Sequence, residues 1–190
     1  MSRVFAAPGP ARRGARLAPL RAMPARPQRL ALATLLCVAV VFSVPAHSAP
    51  AGESMVAATD TVAADVIRLT NVQRAQHQQT ELRMDSKLMR AAQLQADQMA
   101  SAHHMAHVLA DAPYPSTRDR LAAEAYRWWA YGENVAVGQT STTQVLGEWM
   151  QSTGHRTNIL NAKFTEMGAG YAVDQAGRPY YVQLFAQPQS

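Results

Sequence analysis

Met167-Gly168-Ala169-Gly170-Tyr171-Ala172-Val173, then Asp174-Gln175-Ala176-Gly177-Arg178-Pro179, then Tyr180-Tyr181-Val182-Gln183-Leu184-Phe185-Ala186-Gln187 is the stretch that decides the fold class. Met167, Ala169, Tyr171 and Val173 alternate with Gly168, Gly170 and Ala172, the period-two pattern of a strand. In the return segment Tyr180, Val182 and Leu184 stand opposite Tyr181, Gln183 and Phe185, and the run between the two reads as a turn. The chain therefore ends in a β-hairpin. Clear helical periods all lie upstream, and helices first with a hairpin last indicate an α+β layered domain.

Upstream of the hairpin, Ser141 followed by Gln144 reads as a capping box. It opens a helix whose buried stripe is Val145, Leu146, Trp149 and Met150. Gly154 is placed to end that helix in a left-handed conformation. His155 would then sit just past a helix C-terminus, where the dipole favours its protonated form. Glu133 to Gly138 alternates as a short strand with Glu133, Val135 and Val137 on one face. A carboxylate on an otherwise apolar face requires a partner. Arg118 to Tyr126 reads as a short helix, and Asp111 to Thr117, with Pro113 and Pro115, as loop. Asp85 suits an N-cap for a helix lined by Leu88, Ala92, Ala96 and Met99, which runs on toward His103, His104 and His107. Val62, Val66 and Leu69, with Ile67 beside them, mark a first helix from about Asp60. Two adjacent indoles cannot face the same core direction in regular structure, so one of Trp128 and Trp129 is expected on an exposed apolar patch.

The chain has 190 residues and a formal net charge of +5, but that charge is localised. Seven of its 18 basic residues lie at or before Arg29 and no acid precedes Glu53, so Pro50 onward carries 11 basic against 13 acidic residues. That remainder offers no electrostatic reason for a nucleic-acid partner. Arg12, Arg13, Arg16, Arg21, Arg26 and Arg29 precede the apolar run Leu30 to Val44, which is short for a membrane span, and Pro45-Ala46-His47-Ser48-Ala49 offers small residues for cleavage. Residues 1–49 are thus expected to be a signal peptide, 50–59 a flexible lead-in and 60–188 one domain. The expected location is outside the cytoplasm, extracellular or periplasmic, with no transmembrane segment left after cleavage. The single cysteine, Cys37, falls inside the apolar run, so the mature chain has no disulfide, thiolate nucleophile or Cys-ligated zinc and must rest on its core.

Several segments taken together resemble the CAP superfamily, also called the SCP domain, of cysteine-rich secretory, antigen 5 and pathogenesis-related proteins. The likeness is to its cysteine-free bacterial branch. It runs from about Asp65 to Gln187 and is carried by Asn71 and Arg74, by Leu82, Asp85, Leu88 and Ala92, and by Met99-Ala100 before the histidines. Gly132-Glu133-Asn134, Trp149-Met150, Gly154-His155-Arg156, Asn158-Ile159-Leu160 and the Gly-rich strand complete it. The resemblance implies a three-layer α-β-α sandwich around a central, mostly antiparallel sheet. It also implies a cleft in which His107 and His155 are the two histidines and Glu133 is the acid. His104 competes for the place of His107. The family's second acid falls where this chain has Ser152, and Glu148 lies one turn earlier on the same helix face. Ala125 replaces a glycine that often precedes Tyr126, and Trp128-Trp129 replace the small residues that usually follow.

Two imidazoles and a carboxylate suit a divalent ion such as zinc with one open position, a general acid/base pair, or a closed polar network. No Gly-x-Ser-x-Gly, His-Glu-x-x-His or Gly-Lys-Ser/Thr motif is present. The expectation is an exported, non-catalytic binding module for a small apolar molecule or lipid, an envelope component or a protein partner. A metal-dependent hydrolase using His107, His155 and Glu133 is the alternative.

Overall fold

The computed structural model describes residues 51–189, with side chains from Thr59. The expected signal peptide, 1–49, lies outside the described residues. The elements are α1 (Ala51–Gln76), β1 (Arg83–Met84), α2 (Ser86–Ala102), α3 (Thr117–Ala123), β2 (Trp128–Val137), α4 (Thr142–Gln151), α5 (Thr153–Ile159), β3 (Glu166–Val173) and β4 (Pro179–Pro188). The first helix starts at Ala51, within the stretch read as a lead-in. The four strands lie in the order β1-β3-β4-β2, with β1 and β3 parallel and the other pairs antiparallel.

Side-chain alternation on the hairpin divides the interior in two. Tyr180, Val182, Leu184 and Ala186 face α2 and α3, joined by Leu88, Ala92, Met99, Leu121 and Val135. Met167, Ala169, Tyr181 and Phe185 face the opposite way and pack with Val66, Val145, Trp149 and Ile159 from α1, α4 and α5. Helix, sheet, helix is the resulting three-layer order. The small positions of β3 set the spacing on the α2 side. A Cβ on Gly168 would come within 2.2 Å of the Leu88 carbonyl carbon, and one on Gly170 within 2.3 Å of Ala92 O. Only bare backbone admits α2 this close.

Local signals hold in most places. Asp85 caps α2, its Oδ1 accepting from the backbone N–H groups of Lys87 and Leu88 at 2.9 and 3.0 Å. Asn71 accepts from Leu82 N and donates to Leu82 O. Arg74, 1% exposed, donates to Thr80 O and Ile159 O, both at 2.7 Å, and so ties the end of α1 to the end of α5. Only half of the expected capping box forms at α4. Ser141 Oγ accepts from Gln144 N, but the Gln144 carbonyl turns to the N–H and hydroxyl of Thr140.

Three expectations need correction. The strand expected over Glu133 to Gly138 begins five residues earlier, at Trp128. A register shift between Trp128 and Ala130 makes Trp129 the bulged residue. Trp128 and Tyr131 consequently meet on one face, rings at 5.8 Å and 85°, while Trp129 is 69% exposed. Gly154 does not end α4: the helix stops at Ser152, which has extended angles (φ −87°, ψ 121°), and Gly154 lies inside α5. His155 is therefore in the first turn of a new helix, where the dipole opposes a positive charge.

Candidate functional site: a buried carboxylate between Arg120 and His107

β2 brings Glu133 onto the α2 side of the sheet, in register with Leu184. The carboxylate side chain is 4% exposed, and two cations-to-be meet it. Arg120 Nη2 donates to Glu133 Oε2 at 2.6 Å from a side chain with no exposure at all. His107 Nδ1 lies 2.9 Å from Oε1 and donates to it, so the imidazole carries its proton on Nδ1 and turns Nε2 away from the acid. The side chain of His107 is 54% exposed.

Arg120 is held through both of its terminal nitrogens, while its buried Nε has no partner. Its helix starts at a complete capping box between Ser116 and Asp119, and Nη2 also donates to Thr117 Oγ1 at 3.1 Å. Nη1 faces the carbonyls of Tyr114 and Pro115 at 3.4 Å. Sequence reasoning missed this residue. Thr117, Arg120 and Leu121 form one inward stripe at i, i+3, i+4, all buried. That spacing was a readable sign that Arg120 faces the core and can meet the lone carboxylate.

On the other sheet face, Asn134 donates to Gln183 Oε1 at 2.9 Å and to His155 O at 3.1 Å. Gln183 in turn donates to Thr70 Oγ1 at 2.6 Å. Asn158 donates to Asn134 Oδ1 at 2.9 Å and to Glu133 O at 3.2 Å. Asn158 thus reaches across to β2 rather than binding carbonyls of its own turn. The chain of amides fastens α5, and with it His155, against β2. Gly132 makes room for it, since a Cβ there would lie 2.8 Å from Asn158 Oδ1 and 3.1 Å from the Phe164 ring.

The two histidines differ in charge preference. The hydrogen bond to Glu133 raises the His107 pKa, against burial and the Arg120 charge. Burial lowers the His155 pKa, and the charge of His107 lowers it further. Burial and the His107 charge thus disfavour the cationic His155 expected from a helix C-terminus. Its ring lies 6.4 Å from the Trp149 ring system, close enough to His107 for their charges to interact, but no hydrogen bond joins it to Glu133 or His107.

The remaining candidates stand apart. His107, not His104, contacts Glu133. Glu148 is exposed and accepts from Gln139 and Gln144 at 2.6 and 2.9 Å. Ser152 forms the joint between α4 and α5, and its side chain makes no capping bond. Among the described residues, no three His, Cys, Asp or Glu side chains are grouped to hold a metal ion. Each oxygen of Glu133 accepts one hydrogen bond, from His107 and from Arg120.

Comparison with known proteins agrees with this architecture. Uncharacterized protein YkwD of Bacillus subtilis is 34% identical over 106 residues, 56% of this chain and 40% of its own length. Uncharacterized membrane protein YlbC of the same species is 32% identical over 120 residues, 63% of this chain and 33% of its own. The chain thus spans well under half of these curated relatives. An extracellular SCP-domain protein of Bacillus anthracis superposes with TM-score 0.65 at 26% identity, covering 74% of this chain and 45% of that one. An outer surface protein of Borrelia burgdorferi shares the fold at TM-score 0.58 and 17% identity, over 65% of this chain and 90% of that one. No helix among the described residues is long and apolar enough to cross a membrane. The family model of the cysteine-rich secretory proteins matches residues 67–185, and with the sandwich and the Gly-Glu-Asn strand in place, the chain belongs to the CAP family, in its cysteine-free bacterial branch.

Proposed function

We propose that the protein is an exported binding module whose His107–Glu133–His155 cleft receives a small apolar molecule, an envelope component or a protein partner without transforming it. One observation supports this reading: Glu133, its side chain only 4% exposed, accepts from Arg120 at 2.6 Å and from His107 at 2.9 Å. A general base needs an oxygen within reach of a substrate proton, and a metal ligand needs a lone pair aimed at the ion. A carboxylate clamped between two donors instead orients an imidazole, leaving His107 Nε2 as the polar contact offered to a ligand. Export is supported by the arginine-rich leader and apolar run, and by structural neighbours described as extracellular or outer-surface proteins.

Zinc calorimetry on the mature protein tests the reading against its hydrolase alternative. The wild type is expected to bind zinc no better than the His107→Ala/His155→Ala double variant at micromolar metal. Tight binding that the double variant abolishes would return the metal-dependent hydrolase to first place.

A further inference from the structure

A hollow of about 630 Å³ lies between α3 and the start of β2, within the range of about 300–1,000 Å³ typical of small-molecule sites. Arg118 and Ala122 of α3, Ala125 and Arg127 of the connection, and Trp128 of β2 line it, with the Gln189 side chain at one side. None of His107, Glu133 and His155 takes part. Ala125 and Trp128 are also positions at which the chain departs from the family pattern, so the family likeness does not account for the hollow.

Charge is its first feature. Among the described residues, neither the Arg118 nor the Arg127 guanidinium is ion-paired. The acids nearby are already taken. Glu124 accepts from Arg90 at 2.6 Å, and Asp119 accepts from the backbone N–H and hydroxyl of Ser116. Glu166 accepts from Arg83 and from the Tyr126 hydroxyl, the latter at 2.6 Å. Lys87 Nζ donates to Ala125 O at 3.0 Å and brings a third positive charge to the rim. Orientation is the second feature. Arg127 Nε donates to Gln189 Oε1 at 3.2 Å, Gln189 Nε2 donates to Trp128 O at 2.9 Å, and Gln189 N–H donates to Arg127 O at 3.0 Å. One amide thus fixes the guanidinium through Nε and leaves both of its terminal nitrogens unbonded. A guanidinium with its fork free matches an oxyanion. The Trp128 indole, set by its edge contact with Tyr131, adds an aromatic surface to the same lining.

We propose that this hollow is a second ligand site, for a small phosphate monoester with a planar aromatic body. Two arginines match the dianion, where a carboxylate would supply half the charge. The ring lies against Trp128, beside Ala122 and Ala125.

Phenyl phosphate titrated into ¹⁵N-labelled protein tests this, with shifts read at the Arg127 Nε–H and the Trp128 indole N–H. Inorganic phosphate and phenol probe the two halves separately. Phenyl phosphate is expected to shift both signals saturably and to bind at least about tenfold more tightly than either half. Arg118→Gln and Arg127→Gln are each expected to weaken it at least about fivefold, a low value for charge-assisted bonds because solvent and salt screen the site. Ala122→Glu, at an exposed position, is expected to abolish binding with the circular dichroism spectrum unchanged. The site is refuted if phenyl phosphate leaves both signals unshifted, or if inorganic phosphate or phenol binds as tightly. Unchanged binding in Arg118→Gln, Arg127→Gln or Ala122→Glu refutes it as well. Vesicles containing phosphatidate present the same head on a lipid. Co-sedimentation that Arg127→Gln abolishes, with phenyl phosphate inert, would overturn the small-molecule assignment.

Discussion

Replacing Arg120 by methionine keeps most of the side-chain volume and removes the charge opposite Glu133. Arg120 has no exposed side-chain surface, Glu133 has 4%, and they meet at 2.6 Å. Removing one partner of such a pair strands the other in a low dielectric, a loss of about 3–5 kcal/mol. Against a domain stability of about 5–15 kcal/mol this is a large fraction. Urea unfolding followed by tryptophan fluorescence measures it, since Trp149 is 2% exposed and reports on the core. Glu133→Gln supplies the second edge of a double-mutant cycle. With both charges gone, the double variant is expected to lose less than the sum of the two single losses, by about 0.5–3 kcal/mol. If Arg120→Met costs less than about 1 kcal/mol, as an exposed pair would, or if the two losses simply add, then the buried pair is not what seats Glu133.

Ala125 has φ +48°, a left-handed conformation that costs a residue with a Cβ about 1–2 kcal/mol. Ala125→Gly is accordingly expected to raise unfolding free energy by about 0.5–1 kcal/mol after glycine's own entropy is counted, and urea midpoints that stay level or fall would refute the strain. The raised pKa of His107 also fixes the sign of its pH dependence. Its stabilising contribution is fully present below the unfolded value near 6.5 and is lost as pH rises through the higher folded value. Glu133→Gln is expected to lower the His107 pKa in an NMR titration, and an unchanged titration would show that the carboxylate does not govern the imidazole.

The parts of the fold that were legible in the sequence are those where one face of an element is apolar. The hairpin, the α2 stripe and the α4 stripe are of this kind. Of the candidate site, Glu133 and Asn134 were legible because the short phrase Gly132-Glu133-Asn134 carries them. What escaped has physical reasons. Arg120 sits in a helix of seven residues, preceded by Arg118 and Asp119, too short for its charged run to stand out as amphipathic although its spacing places it with Leu121. The break between α4 and α5 is made by extended backbone at Ser152, and serine carries no obligation to leave a helix, whereas Gly154 beside it invites the wrong boundary. The bulge at Trp129 depends on pairing with β4, a tertiary fact that strand periodicity does not contain.

β2 is an edge strand of ten residues, and such an edge is a template on which another chain can add. Here two of its carbonyls are already answered by side chains. Trp149 Nε1 donates to Val135 O at 3.3 Å and Asn158 Nδ2 to Glu133 O at 3.2 Å. With Cys37 as its only cysteine, the chain cannot staple these helices in place by a disulfide. These two side-chain bonds, one from α4 and one from α5, therefore leave that part of the edge less open to strand-to-strand addition, and loosening either helix would free a β-strand acceptor.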